Sequence, residues 1–356
     1  MSRTEKLRTL LFRLGSFALG LGLLYLALRG ADLRVIWEDL KQADYRWLAP
    51  LVLLTLLSHV IRAWRWRLLL EALPDANGRR RLTVARAFQA LMIGYMVNYA
   101  APRLGELARA ASLSRITGLR LSSVLGTVVA ERLLDLLVLA LALLSVLVML
   151  LDRWVELHRL FVAPWLQSGS LQLLAGGALL VLLFLGLGVY LGRRTPLLRR
   201  VGRRLHGPLA AFKHGLFTVH RTHRPVALTL STLLMWACYW GMAYLPLVML
   251  HLSQPYGLGP AEAWVLLVLG AVGVALPSPG GLGSYHYITV QVMVHLLAVP
   301  QAPAATYAVL THGAQMVLYT LIGFICLVLQ GGHWRPPDDT GLEALPATFR
   351  TPSTSP

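Results

Sequence analysis

Charge is scarce in this sequence of 356 residues. Only 14% of the residues are Asp, Glu, Lys or Arg, against 56% that are hydrophobic. A soluble domain carries about 25% charge, so these proportions exclude a water-soluble globular fold and specify an integral membrane protein. Acids are scarcer still, 16 against 33 bases. The surplus bases fall in short loops between apolar runs, where they set topology and meet anionic lipid headgroups. No recognition module accompanies them, so no nucleic-acid partner is expected.

Cysteine is nearly absent. Cys238 and Cys326 both lie in apolar runs and read as small buried hydrophobes, not as a disulfide or metal site. His206, His214, His220 and His223 sit in a basic loop without ligand spacing, so neither a metal nor any other cofactor is expected. There is no nucleotide-binding motif and no serine, histidine and acid arrangement that suggests hydrolysis. A cleavable leader is also missing: Arg3, Lys6, Arg8 and Arg13 precede an apolar run, but no small-residue site precedes Leu28-Arg29-Gly30, so an uncleaved first span is expected.

What the sequence does have is apolar runs, at about 10–28, 48–61, 87–101, 121–150, 171–191, 226–252, 262–276, 284–299 and 304–330. Crossing a core of about 30 Å takes roughly 20 helical residues. The runs at 87–101, 262–276 and 284–299 fall short and are candidate half-helices. The N-terminus, residues 62–86 and residues 192–224 are strongly basic and expected to be cytoplasmic, whereas 29–47 balances its charges. Satisfying those assignments makes 87–119 dip in and return near Pro102, and makes 262–299 do the same from the other face. The expected fold is therefore all-α, a polytopic bundle of about six full spans and two re-entrant broken-helix hairpins, inverted-repeat-like in arrangement. Eight or nine full spans are the alternative. Residues 1–330 form the expected membrane domain and 331–356 a flexible cytoplasmic tail rich in Pro and Thr.

Helix breakers at membrane depth mark the candidate site, because non-helical backbone there must be covered by protein or by a water-filled cavity. In the first break, Asn98 precedes Pro102, Arg103 and Gly105, and Glu106 opens the next helix with Arg109 one turn on. Two readings stand: ordinary loop ion pairs, or a phosphate clamp by Arg103 and Arg109. Glu131, Arg132 and Asp135 lie within the 121–150 run; Glu131 and Asp135 share a face and call for a basic partner or a shared proton. They either pair structurally or line a polar path for a headgroup or coupling proton. The second break, Pro277-Ser278-Pro279-Gly280-Gly281-Leu282-Gly283, would expose amides at the following helix start to an anion; a plain loop is its bland reading. His286, between Tyr285 and Tyr287, would donate to phosphate or titrate, or simply join an interfacial aromatic cluster. Arg62-Ala63-Trp64-Arg65-Trp66-Arg67 reads as an interface anchor.

On Asn98 with Pro102-Arg103-Leu104-Gly105-Glu106 and Arg109, on Glu131-Arg132 with Asp135, and on Pro277 to Gly283, the chain resembles the lysylphosphatidylglycerol synthase-type transmembrane family, also called flippase-like proteins. The resemblance covers about Leu10 to Gln330. It implies a membrane domain that moves lipid between leaflets, without the soluble domain that attaches the amino acid, and hence no aminoacyl transferase activity. The family often places a glutamate shortly after the Pro-Gly turn; Tyr285-His286-Tyr287 stands here instead, which better suits an anionic or neutral lipid than a cationic one.

The expected function is translocation of an anionic phospholipid or polyprenyl-linked lipid across the bacterial inner membrane, with both termini cytoplasmic. A membrane-embedded transferase using Glu106 or Glu131, or an accessory subunit of envelope synthesis, are the alternatives.

Overall fold

A computed structural model describes residues 3–74, 82–101, 104–151, 217–276 and 278–331. Arg103, Pro102 and Pro277, the 171–191 run, most of the 192–224 basic loop and the tail beyond Gly331 lie outside the described residues. The described part is entirely helical: α1 (Arg3–Leu28), α2 (Leu33–Gln42), α3 (Leu48–Glu71), α4 (Val84–Ala100), α5 (Gly105–Thr117), α6 (Leu121–Met149), α7 (Pro225–Met249), α8 (Pro260–Ala275), α9 (Ser284–Gln291) and α10 (Gln301–Gly331), with a few single turns between them. Among the described residues, four stretches are long and apolar enough to cross a bilayer, Tyr45–Glu71, Leu121–Met149, Pro225–Met249 and Gln301–Gly331.

Local sequence sets the ends of these helices. The Asp32 carboxylate accepts from the Arg34 amide and starts α2, and the Thr83 hydroxyl accepts from the Arg86 amide and starts α4. Pro225 opens α7 at a position where its missing N–H costs nothing. Helix α5 stops at Gly118, which adopts the left-handed conformation.

Five apolar clusters form among the described residues, and the main members of the two largest show which helices pack together. Ala63, Trp66, Leu70, Ala87, Ala90, Leu91, Ala110, Leu113, Val124 and Val128 join α3, α4, α5 and α6. Val265, Leu266, Val268, Val290, Met293, Ala304, Ala305 and Ala308 join α8, α9 and α10. Helix α6 shows how the outside is built: Leu133, Leu137, Leu141, Leu144 and Val148, spaced by one turn, are exposed, while Glu131, Ala142 and Val146 face inward. An exposed leucine stripe on a membrane-crossing helix is the surface that acyl chains cover.

Helix α3 corrects one sequence expectation. It continues ten residues past the apolar run, so Arg62, Arg65 and Arg67 are helical, and Arg62 and Arg65 are buried. They are not an interface anchor. Arg67, paired with Glu71 and about one-third exposed, and the partly buried Trp64 keep that character. The charge-balanced connection at 29–47 contains α2.

Candidate functional site

The polar residues inside the bundle form two groups. The first is ionic and is built on α3, α5 and α6. Arg62 and Arg65, three apart on α3, face Glu131 and Asp135, four apart on α6, so that two cations and two anions interlock across the helix pair. Arg62 donates through Nε to Glu131 Oε1 at 2.7 Å and through Nη2 to Asp135. Arg65 donates through Nη2 to Asp135 Oδ1 and, at 3.3 Å, to Glu131 Oε1. Arg109, from α5, donates to the other oxygen of Glu131. Glu131 is fully buried and is the hub for all three guanidinium groups.

Neutral partners complete this group. Arg62 Nη1 donates to Tyr239 Oη and Arg65 Nη1 to Thr232 Oγ1, each at 3.2 Å, both acceptors on α7. The Arg109 guanidinium lies 4.0 Å from the centre of the Trp66 ring, whose Nε1 donates to Thr127 Oγ1 at 3.0 Å. Towards the surface, Arg132 Nη2 donates to Glu106 Oε1 at 2.9 Å, with both side chains about one-third exposed. Arg132 also lies 3.7 Å from Asp135. Arg62, Arg65, Arg109 and Arg132 thus face Glu106, Glu131 and Asp135, which leaves one positive charge in excess within the group. Within this group, and among the described residues, three buried guanidinium nitrogens have no acceptor, Arg109 Nε and Nη1 and Arg65 Nε; Arg67 Nε, on the same helix as Arg65, is a fourth outside the group. A buried donor without an acceptor costs about 1–3 kcal/mol, more when it carries charge.

The second group is uncharged and is built on the second helix break. Gly280 and Gly283 both have positive φ, 56° and 79°, which only glycine adopts without strain. Both are also points of close approach, since a Cβ on Gly280 would enter the Tyr99 ring and one on Gly283 would strike the Gly20 carbonyl of α1. Pro279 and Gly281 are buried, and Ser278 and Ser284 hydroxyls bond to each other at 2.6 Å across the turn. His312 Nε2, from α10, is 3.0 Å from the Gly280 carbonyl oxygen. His286 is 4.9 Å from His312 between ring centres, and Tyr285, stacked on His312 at 5.3 Å, bonds Thr311 at 3.0 Å.

Three amides inside the turn are paired locally. Gly281 N donates to Ser278 O, Leu282 N to Pro279 O and Gly283 N to His286 Nδ1. These bonds are local to the break, which precedes the start of α9 at Ser284.

Helix α4 connects the two groups. Tyr95 and Tyr99 are four apart and so on one face: Tyr95 packs beside His59, three residues before Arg62 on α3, and beside Tyr319, at 4.9 and 5.2 Å, and Tyr99 packs edge-on to His312 and against Gly280. Asn98, between them in sequence, accepts from Gly105 N at 2.8 Å and so ties off the first break. The two breaks therefore meet through Tyr99. Of the residues singled out in the sequence, Arg109, Glu131, Arg132, Asp135 and Glu106 come together in the ionic group, and Pro279, Gly280, Gly281, Gly283 and His286 in the other. The sequence reading missed Arg62, Arg65, His59, Tyr99 and His312. The three-residue spacing of Arg62 and Arg65, matched to the four-residue spacing of Glu131 and Asp135, was the signal for the first two.

These features define a polytopic helical membrane protein with a charged centre inside its bundle, a rare and costly arrangement that marks function in such proteins. The chain belongs to the family of the lysylphosphatidylglycerol synthase TM region, whose family model matches residues 13–323. Neither the curated proteins nor the solved structures include a match to it.

Proposed function

We propose that the protein moves a singly anionic lipid, a phospholipid or a polyprenyl-linked lipid, between the leaflets of the bacterial inner membrane. The observation that carries this reading is the excess positive charge of the ionic group together with the two unpartnered nitrogens of Arg109, Nε and Nη1. A phosphodiester carries one negative charge and oxygens spaced for a guanidinium fork, so it would satisfy both at once. A headgroup with an added cationic amino acid would bring no net negative charge to the centre. Membership of a lipid-handling family supports the substrate class.

In this reading residues 1–330 act as one membrane domain with about six full spans and cytoplasmic termini, and α4–α5 and α8–α9 enter from opposite faces as re-entrant hairpins. Arg103 and Arg109 hold the phosphate, Glu131, Arg132 and Asp135 keep the arginines in place, and Asn98 and Glu106 fix the first break. The second break, from Pro277 to Gly283 with His286, parts from Tyr99 to let the headgroup pass while the acyl chains stay in the bilayer. Glu131 is a poor fit for a transferase base, because its oxygens already accept from three guanidinium groups.

The test is leaflet-specific accessibility in proteoliposomes, comparing a fluorescent phosphatidylglycerol with its lysylated, cationic form. The reading expects the anionic lipid to cross at least about tenfold faster, a difference of about 1.4 kcal/mol, and to lose that advantage in folded Arg109→Gln. Equal rates, or no movement of either above empty vesicles, would refute it.

A further inference from the structure

The arginines of the expected anchor at 62–67 are largely turned inward, and a different segment carries the exposed aromatic residues of one. Helix α2 has Leu33, Ile36, Trp37 and Leu40 at one-turn spacing, so these apolar residues share a face. The bundle covers only half of it. Ile36 is buried and Leu40 packs with it in the apolar cluster of α8, α9 and α10, whereas Leu33 and Trp37 are 66% and 60% exposed. On the next side round the helix, Arg34, Glu38 and Lys41 form a charged stripe, with Lys41 Nζ 2.9 Å from Glu38 and 5.4 Å from the centre of the Trp37 ring. Three sides are therefore distinct: one against protein, one apolar and uncovered, one charged. Val35, also exposed, is the one apolar residue of α2 outside this pattern.

The helices that α2 meets fix its level along the bundle. Asp39 accepts from the Thr306 hydroxyl of α10 at 3.0 Å, and Gln301, the first residue of α10, donates to the Ala27 carbonyl near the end of α1 at 2.8 Å. Past the other end of α2, the Tyr45 hydroxyl donates to the Leu40 carbonyl at 2.6 Å, and the Asp44 amide donates to the carbonyl of Met249, the last residue of α7, at 2.8 Å. Three of the membrane-crossing stretches thus have an end beside α2: one begins at Tyr45, one ends at Met249 and one begins at Gln301. This is the depth at which hydrocarbon gives way to headgroups and water. Tyr45 and Trp47, at the mouth of α3, are exposed there as well. Tyrosine and tryptophan, apolar in body and polar at one edge, concentrate at that depth.

We propose that α2 lies in the plane of the membrane interface, with Leu33 and Trp37 inserted at the boundary between headgroups and acyl chains, and with Arg34, Glu38 and Lys41 directed to the headgroups and water. The occupant of the uncovered face is lipid. Burial of the two apolar side chains drives the contact, and the charged stripe stops the helix from sinking further. Arg34 and Lys41 are offset by Glu38 and Asp39, so the contact does not require anionic lipid. Through Asp39 and Thr306 it also holds the start of α10 at the interface.

The test is a nitroxide depth measurement on the full chain in nanodiscs of phosphatidylcholine, with and without phosphatidylglycerol, after Cys238→Ala and Cys326→Ala remove the native thiols. Labels are attached one at a time to Leu33→Cys, Trp37→Cys and Glu38→Cys, with Leu137→Cys on the exposed leucine stripe of α6 as the acyl-chain reference. Each is relaxed by oxygen, which concentrates in lipid, and by a water-soluble nickel chelate. The Leu33→Cys and Trp37→Cys labels are expected about 5–10 Å below the headgroup phosphates in both lipid mixtures, shallower than the Leu137→Cys label, while nickel reaches the Glu38→Cys label better than oxygen does. Nickel reaching the first two labels better than oxygen would put the face in water, and shielding from both reagents would put it under protein. Either result, or insertion only when phosphatidylglycerol is present, overturns the proposal. Should Trp37→Cys fail to fold, the Leu33→Cys label, which keeps the tryptophan, decides on the same criteria.

Discussion

The ionic group and the second break occupy the same bundle, yet they are held by opposite means. Around Glu131 three guanidinium groups converge on one buried carboxylate, and opposite charges hold the group together. Around Gly280 no formal charge takes part, and the structure rests on serine hydroxyls, ring contacts and backbone that only glycine can form. Charge buried in low dielectric is expensive to rearrange, whereas neutral hydrogen bonds and glycine dihedrals are cheap. The comparison teaches a division of labour: the first region suits holding a charged group in a fixed place, and the second suits moving.

The largest effect is expected where the charged region is broken at its hub. Glu131→Ala leaves three buried arginines around a missing anion and should destabilise the protein by about 3–5 kcal/mol, read by unfolding in detergent micelles. Combining it with Arg109→Leu should recover part of the loss, since the two residues share one interaction. An additive double variant would show that the hub is not a network. Next comes the hinge. Gly280→Leu forces a side chain into the Tyr99 ring at a positive φ and should cost about 1–3 kcal/mol, with loss of translocation greater than loss of folded protein. A fully active Gly280→Leu would remove the hinge from the account. Asn98→Ala withdraws the acceptor for Gly105 N and should cost about 1 kcal/mol. Smallest is Arg132→Gln, whose partner Glu106 is partly solvated, with an expected change within about 1 kcal/mol; a change as large as that of Glu131→Ala would erase the distinction between the buried core of the ionic group and its rim.

Much of this was legible in the sequence, but unevenly. The membrane class, the all-helical fold and both breaks followed from hydropathy and from Pro and Gly, because lipid tolerates so few backbone arrangements. Glu131 and Asp135 announced a need for cations because an acid within an apolar run must be paired. Their partners were hidden in a motif with a more ordinary meaning. Arg62 and Arg65 alternate with tryptophans just past an apolar run, which is the pattern of an interface anchor, and only the continuation of α3 to Glu71 turns both inward. Tyr99, His59 and His312 were illegible for a different reason. Their significance lies in contacts between α3, α4, α9 and α10, and no local pattern records which distant helices meet.

The claim that the surplus arginine charge holds a lipid phosphate is tested most directly by native mass spectrometry of the purified protein, counting the phospholipid retained when equal amounts of phosphatidylglycerol and its lysylated form are offered. The account predicts that wild type keeps one anionic phospholipid in preference by about tenfold, and that folded Arg109→Gln loses the preference. Retention of both lipids alike by wild type, or an unchanged preference in Arg109→Gln, would contradict it.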